Sequence, residues 1–195
     1  MSTLWKQMTL VSLGFLLTAC LSSTNRVAVD SEDPFNDTLT GSKDLEAVAQ
    51  KMARSLVLLP QIANATTPPR IAFLEVTNNT NEILNKEMFL RKMRTLLMQN
   101  ATGKMIFLDR EKYDAIAQER SAKESGSYSG KSTGKLSGAD FFLTGTLDSI
   151  DKALGGKRST YTRYSFRLTD ANAGDIHWED EYEVKKIGRA GLYDR

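Results

Sequence analysis

The chain has 195 residues, a formal charge of +2 from 26 basic and 24 acidic residues, and 41% hydrophobic content. That composition belongs to one folded domain with some chain to spare, and the near-neutral balance argues against a dedicated nucleic-acid binder. One cysteine and one histidine exclude an internal disulfide and argue against a Cys/His zinc site.

The N-terminus reads as an address. Lys6 supplies a short basic region, and Met8–Ala19 is an apolar stretch interrupted by Thr9, Ser12, Gly14 and Thr18. It is too short for a membrane span, which needs roughly 20 apolar residues. It fits the apolar core of a secretory signal over residues 1–19. Leu17-Thr18-Ala19-Cys20 resembles a bacterial lipobox, in which the cysteine thiol is acylated (a palmitate-type anchor) and the chain is cut before it. Several acyl chains give a stable anchor where one gives reversible binding. Leu21, rather than Asp, follows the cysteine, a pattern similar to that of lipoproteins sorted to the outer membrane.

Residues 20–42 are rich in Ser, Thr, Asn and Asp and poor in large apolar groups, so they read as the lipidated start and a flexible tether. The 22 residues after Cys20 reach about 75 Å fully extended and about 26 Å as a flexible chain. The domain opens near Lys43. Leu45, Val48, Ala49, Met52, Leu56 and Leu59 recur at helical spacing over 43–58, and Pro60 ends the run. Ile71–Val76 is an apolar run suited to a strand covered on both faces. Asn85 can cap a helix carrying Phe89, Met93, Leu96 and Leu97, which Gly103 stops. Met105–Leu108 is a short strand. Asp109 can cap a further helix with Tyr113, Ile116 and Ala117 turned inward. Residues 120–138 read as a mobile Ser/Gly/Lys loop, and Phe141–Leu147 as a strand.

The last two strands fix their own register. Thr162, Tyr164, Phe166 and Leu168 alternate with polar residues, as do Ile176, Trp178, Tyr182 and Val184. A loop over 171–175 sets Leu168 opposite Trp178 and Tyr164 opposite Tyr182. The same register sets Arg167 opposite Glu179 and Arg163 opposite Glu183, so faces and charges agree. Asp180 interrupts the inner row, which puts it at the sheet rim. The order α-β-α-β-α-β-β-β predicts a single-domain α/β sandwich over 43–186, with a mixed sheet, helices packed on it and a C-terminal β-hairpin. Residues 187–195 read as a solvated tail, with a basic docking strip as the alternative.

Catalytic chemistry has little to stand on. His177 falls on the polar face beside Glu179, without a nucleophile to serve. Glu179, Glu181 and Glu183 form a carboxylate row that pairing with Arg163 and Arg167 explains. Gly130-Lys131-Ser132 imitates the end of a P-loop, but Ser125 stands where the first glycine belongs, and the order helix-loop-strand is reversed. No nucleotide, metal or cofactor is expected. Met93 and Met105 read as core; Met88 and Met98 stay open between core and an adaptable surface.

Three segments share one resemblance. Val76-Thr77-Asn78-Asn79-Thr80, the run Ser137-Gly138-Ala139-Asp140 through Thr144-Gly145-Thr146, and Leu168-Thr169-Asp170 through Gly174-Asp175-Ile176-His177-Trp178 together resemble the LpoB family of lipoproteins. These are penicillin-binding protein activators, related in fold to the CsgG core domain. The resemblance covers residues 43–186 and the lipobox. It implies a non-enzymatic protein, anchored in the outer membrane and facing the periplasm, that binds and regulates a bifunctional peptidoglycan synthase in cell-wall biogenesis. The family's motifs assign no partner-binding residue. The family's namesake carries a long, Pro-rich linker; this tether is short, with Pro34 alone, a departure that bears on its reach to an inner-membrane synthase. The alternative reading is a CsgG-related structural lipoprotein of envelope assembly or secretion.

Overall fold

The computed structural model describes residues 24, 26–100, 103–131 and 135–190. Leu17, Thr18, Ala19 and Cys20 lie outside the described residues. The elements are α1 (Ser42–Val57), α2 (Pro60–Ala63), β1 (Arg70–Asn79), α3 (Lys86–Asn100), β2 (Ile106–Leu108), a 3-10 turn (Arg110–Lys112), α4 (Tyr113–Glu124), β3 (Phe141–Leu154), β4 (Lys157–Asp170) and β5 (Ile176–Arg189). They form one mixed five-stranded sheet in the order β2-β1-β3-β4-β5. β1 runs parallel to β2 and β3, and β3-β4-β5 is an antiparallel meander. The α/β class and the C-terminal hairpin agree with the sequence reading.

One side of the sheet carries the core. Val48, Ala49, Met52, Ala53 and Leu56 of α1 and Phe89, Met93 and Leu97 of α3 are buried, each set at helical spacing. Beneath them lie Ile71 and Val76 of β1, Leu143 and Leu147 of β3, and Tyr164, Phe166 and Leu168 of β4. Lys92 of α3 pairs with Glu46 of α1 at 2.5 Å and ties the two helices together. That partner, followed by Gln50, holds the Glu46 carboxyl below the usual range. The Asn85 side chain accepts the Met88 amide at 3.3 Å, the expected N-cap of α3. Gly103 has φ +74, the left-handed stop expected after that helix.

The hairpin has the expected register. Leu168 faces Trp178, Tyr164 faces Tyr182, Arg167 faces Glu179 and Arg163 faces Glu183. Its turn is held by Asp170, whose carboxylate accepts the Asn172 and Ala173 amides at 2.7 and 2.8 Å. Gly174 closes the turn at φ +79.

Four expectations need correction. β1 is interior to the sheet but not covered on both faces: one extra residue between Phe73 and Val76 makes a bulge, and Leu74 and Glu75 are exposed. Asp109 makes no side-chain cap, because a 3-10 turn separates it from α4. No residue of α4 is buried; Ile116 and Ala117 are exposed, and Tyr113 is half-buried, donating its hydroxyl to the Ser137 carbonyl at 2.9 Å. Residues 187–189, read as tail, are the end of β5.

The segment before α1 also folds onto the sheet. Thr38 is buried, its hydroxyl 2.7 Å from that of Thr160. The Thr40 hydroxyl lies 2.9 Å from the Tyr164 phenol, and the Thr40 amide donates to Glu82 at 3.0 Å. The Asn36 carbonyl accepts the Arg189 amide at 2.8 Å. Residues 36–41, read as part of the tether, are thus a strap across the β4–β5 end.

Candidate functional site

The residues singled out by sequence mostly explain architecture. The Asp140 carboxylate accepts the Arg70 amide at 2.7 Å, its own amide donates to the Arg70 carbonyl, and its carbonyl accepts the Ala171 amide. One residue therefore joins the starts of β1 and β3 to the β4–β5 turn. Asn78 accepts the Thr80 amide and donates to the Glu82 carbonyl, shaping the loop after β1. Asn79 and Asn81 donate to Asp148 and Asp151 at 2.8 and 3.0 Å, stitching that loop to β3. At Gly145 a Cβ would stand 2.6 Å from the Phe166 ring, so only glycine fits. Trp178 donates its indole N–H to Ser55 at 3.0 Å and pins β5 to α1.

His177 is not in the carboxylate row. Leu168 faces Trp178 while Thr169 faces Ile176, so His177 is the extra residue of a β-bulge. The bulge carries the imidazole to the helix side, edge-on to Phe141 at 5.4 Å and with Nδ1 3.2 Å from the Gln61 amide. A strict two-residue period misses this because a bulge flips the face by one residue.

Opposite the helices, the β3–β5 face is an ionic ladder. Arg167 bonds Glu179 at 2.9 Å, Arg163 lies 3.1 Å from Glu181, and the Tyr161 hydroxyl donates to Glu183. That bond, with burial and the nearby charge adding to it, raises the Tyr161 phenol. Each carboxylate of the row thus has a partner, as pairing predicts, although Arg163 reaches diagonally to Glu181. Asp180 sits on the helix side of the edge strand, 3.4 Å from Lys51. Burial opposes its charge, but bonds from Ser55, the Glu181 amide and Lys51 outweigh it and lower the carboxyl. Lys131 lies in the loop between α4 and β3, so the required strand-loop-helix order is absent there.

Concave surface is shallow. A cleft of about 440 Å³ lies where the β1 bulge meets α3, lined by Phe73, Leu74, Leu90, Arg91 and Arg94. A second of about 530 Å³, between the C-terminal ends of α1 and α3, exposes Val57, Leu58 and Leu96. Met93 and Met105 are buried, whereas Met88 and Met98 are exposed. Among the described residues no group of three His, Cys, Asp or Glu side chains can hold a metal ion. No helix among them is long and apolar enough to cross a membrane. The arrangement offers faces for binding.

The sequence profile described as peptidoglycan-synthase activator LpoB matches residues 44–184. The chain belongs to the LpoB family. The match spans the whole sheet apart from the last residues of β5, so the motif residues above sit inside it. Membership supports a regulatory role toward a peptidoglycan synthase in cell-wall biogenesis. Similar solved structures include the LpoB C-terminal domains from Salmonella enterica and Escherichia coli. Each is 17% identical, with 72% of this chain and 98% of that chain covered, at TM-score 0.44. Lipoprotein GNA1162 from Neisseria meningitidis is 12% identical, with 62% and 84% covered, at TM-score 0.41. No curated protein sequence matches the chain.

Proposed function

We propose that this LpoB-family chain is a periplasmic lipoprotein, anchored in the outer membrane through acylated Cys20. There it binds a bifunctional peptidoglycan synthase of the penicillin-binding class and raises its activity without chemistry of its own. The family match over residues 44–184 carries this reading. The lipobox Leu17-Thr18-Ala19-Cys20 supports the anchor. Activation by a binding partner is linkage: the activator favours the active conformation by as much as its affinity for that state exceeds its affinity for the other. A rigid domain suits this role, since little ordering entropy is lost when it docks.

The strap bears on reach. Residues 36–41 are held on the domain, and Val29 and Glu32 bond Ser42 and Lys43 at the start of α1, so the chain from Cys20 to Val29 spans at most about 30 Å. The proposal therefore needs a synthase that extends toward the outer membrane. Two measurements test it. Mass spectrometry of the protein from its own membranes should find acyl chains on Cys20, lost in Cys20→Ser. Glycan polymerisation by the solubilised synthase should rise with added chain and saturate. An unmodified Cys20 overturns the anchor; an unresponsive synthase overturns the activation.

A further inference from the structure

Beyond the core, β3, β4 and β5 continue as a three-stranded apron, and its face opposite the strap has an unusual composition. Its rows are set by the ladder. Ile150 faces Tyr161, which faces Lys185. Lys152 faces Ser159, which faces Ile187. Leu154 faces Lys157, which faces Arg189. Side chains on a strand alternate, so these nine residues share one face. Four are cations, three are aliphatic and none is acidic. Ile150, Leu154 and Ile187 are 58%, 88% and 74% exposed. Lys152, Lys157, Lys185 and Arg189 are exposed and make no ion pair among the described residues. Among the neighbouring carboxylates, Asp151 pairs with Arg158 on the opposite face, Asp148 accepts from Asn79, Glu183 accepts from Tyr161 and Glu32 pairs with Lys43, while Asp33 and Asp37 share a cleft at the edge strand with Lys185 and Ile187.

A face of unpaired cations around exposed aliphatic side chains is the surface that a lipid interface selects: the cations meet headgroup phosphates, and the apolar groups enter the acyl boundary. Its place in the fold agrees. The Arg189 amide donates to Asn36, so the end of the apron is joined to the N-terminal segment, which then passes the start of α1, where Ser42 donates to the Val29 carbonyl and Lys43 pairs with Glu32, before leading back to Cys20. We infer that this apron face is a membrane-contact surface that docks the domain onto anionic phospholipid. The setting rests on the reading that Cys20 is acylated; the binding itself does not. Such docking would leave the anchored domain in two positions, flat on the bilayer or released toward a partner.

The experiment uses the chain from residue 20 onward with Cys20→Ser, which carries no lipid and keeps every described contact. Co-sedimentation with vesicles of phosphatidylcholine, with and without 30% phosphatidylglycerol, gives the partition coefficient. Each cation near an anionic surface is worth about a fivefold gain, so replacing Lys152, Lys157, Lys185 and Arg189 by Gln should lower binding by roughly several hundredfold. Leu154→Ser with Ile187→Ser should lower it about tenfold or more. A control replaces Arg91, Arg94, Arg110 and Lys112 by Gln, with the same loss of charge near the other sheet edge, and should change it little. Equal binding to neutral and anionic vesicles, or equal losses in the two quadruple variants, would overturn the assignment. So would an apron variant that binds vesicles normally but no longer binds the synthase, which would give the face to a protein partner. Synthase stimulation in detergent should survive the apron substitutions, so failure of lipid binding and failure of activation are read separately.

Discussion

Gly145→Ala sets propensity against packing. Gly145 lies in the middle of β3, opposite Phe166. Alanine in a strand interior is ordinarily favoured over glycine by about 0.5–1 kcal/mol. Here the added Cβ would stand 2.6 and 2.8 Å from two Phe166 ring carbons and 3.2 Å from Val76 Cγ2. Phe166 is 1% exposed and Val76 2%, so neither has free space into which to retreat. The ring must move by nearly 1 Å in an interior packed like a crystal. Overpacking of this kind costs about 1–3 kcal/mol, and rigid neighbours on both sides place this case near 3 kcal/mol. For a chain of this size that is a fall in Tm of roughly 6–12 °C. In a chain lacking residues 1–19, Trp178 is the sole tryptophan and is 8% exposed, so its fluorescence reports urea unfolding directly. The midpoint should drop with an unchanged slope. Phe166→Leu in the same chain should recover about 1 kcal/mol or more relative to additivity, since the two residues share the clash. A Gly145→Ala protein as stable as the parent, or more stable, would mean that Phe166 and Val76 yield to the added methyl group without cost.

Three further outcomes follow from the same contacts. Trp178→Phe leaves Ser55 without its indole donor and should cost about 1 kcal/mol, read by thermal unfolding followed by circular dichroism. Asp140→Ala leaves the Arg70 amide without its acceptor and should cost about 1–3 kcal/mol, with faster amide exchange at the starts of both β1 and β3. At Asp151 burial opposes the charge, but bonds from Thr160, Arg158 and Asn81 outweigh it, so its carboxyl is lowered in the folded state. A lowered carboxyl contributes stability that is complete above its unfolded pKa, about 3.9, and is lost as pH falls through the folded value. Asp151→Asn should therefore flatten stability against pH below about pH 4, and an unchanged acid limb would exclude this linkage.

What the sequence disclosed depended on which physical signal each element carries. The β4–β5 register was legible because apolar and charged rows agreed at Leu168–Trp178 and Arg167–Glu179. α1 and α3 were legible because wide apolar stripes need a covering partner. The same logic failed at α4: Tyr113, Ile116 and Ala117 are spaced as a stripe, but spacing does not say what covers it. Asn36–Gly41 was hidden for the opposite reason. A strap held by Thr38, Thr40 and backbone groups carries no apolar pattern, so it reads as tether. The continuation of β3–β5 past the core was missed because its alternation joins cations to aliphatic residues, as in Ile150, Lys152 and Leu154, rather than polar to apolar. The motif residues were legible only in part: Thr77, Asn78 and Asn79 read as a turn after the first strand but belong to β1. Asp140, Asn78 and Gly145 hold the frame, and nothing in their residue types separates that role from partner contact.

Activation of a peptidoglycan synthase is open to a single titration. The chain from residue 20 onward with Cys20→Ser, strap included, is added to a detergent-solubilised bifunctional synthase from the same cell while glycan polymerisation and crosslinking are followed. The rate should rise and saturate, with half-saturation at the affinity measured independently by binding. A synthase that neither binds the chain nor changes its rate would contradict it.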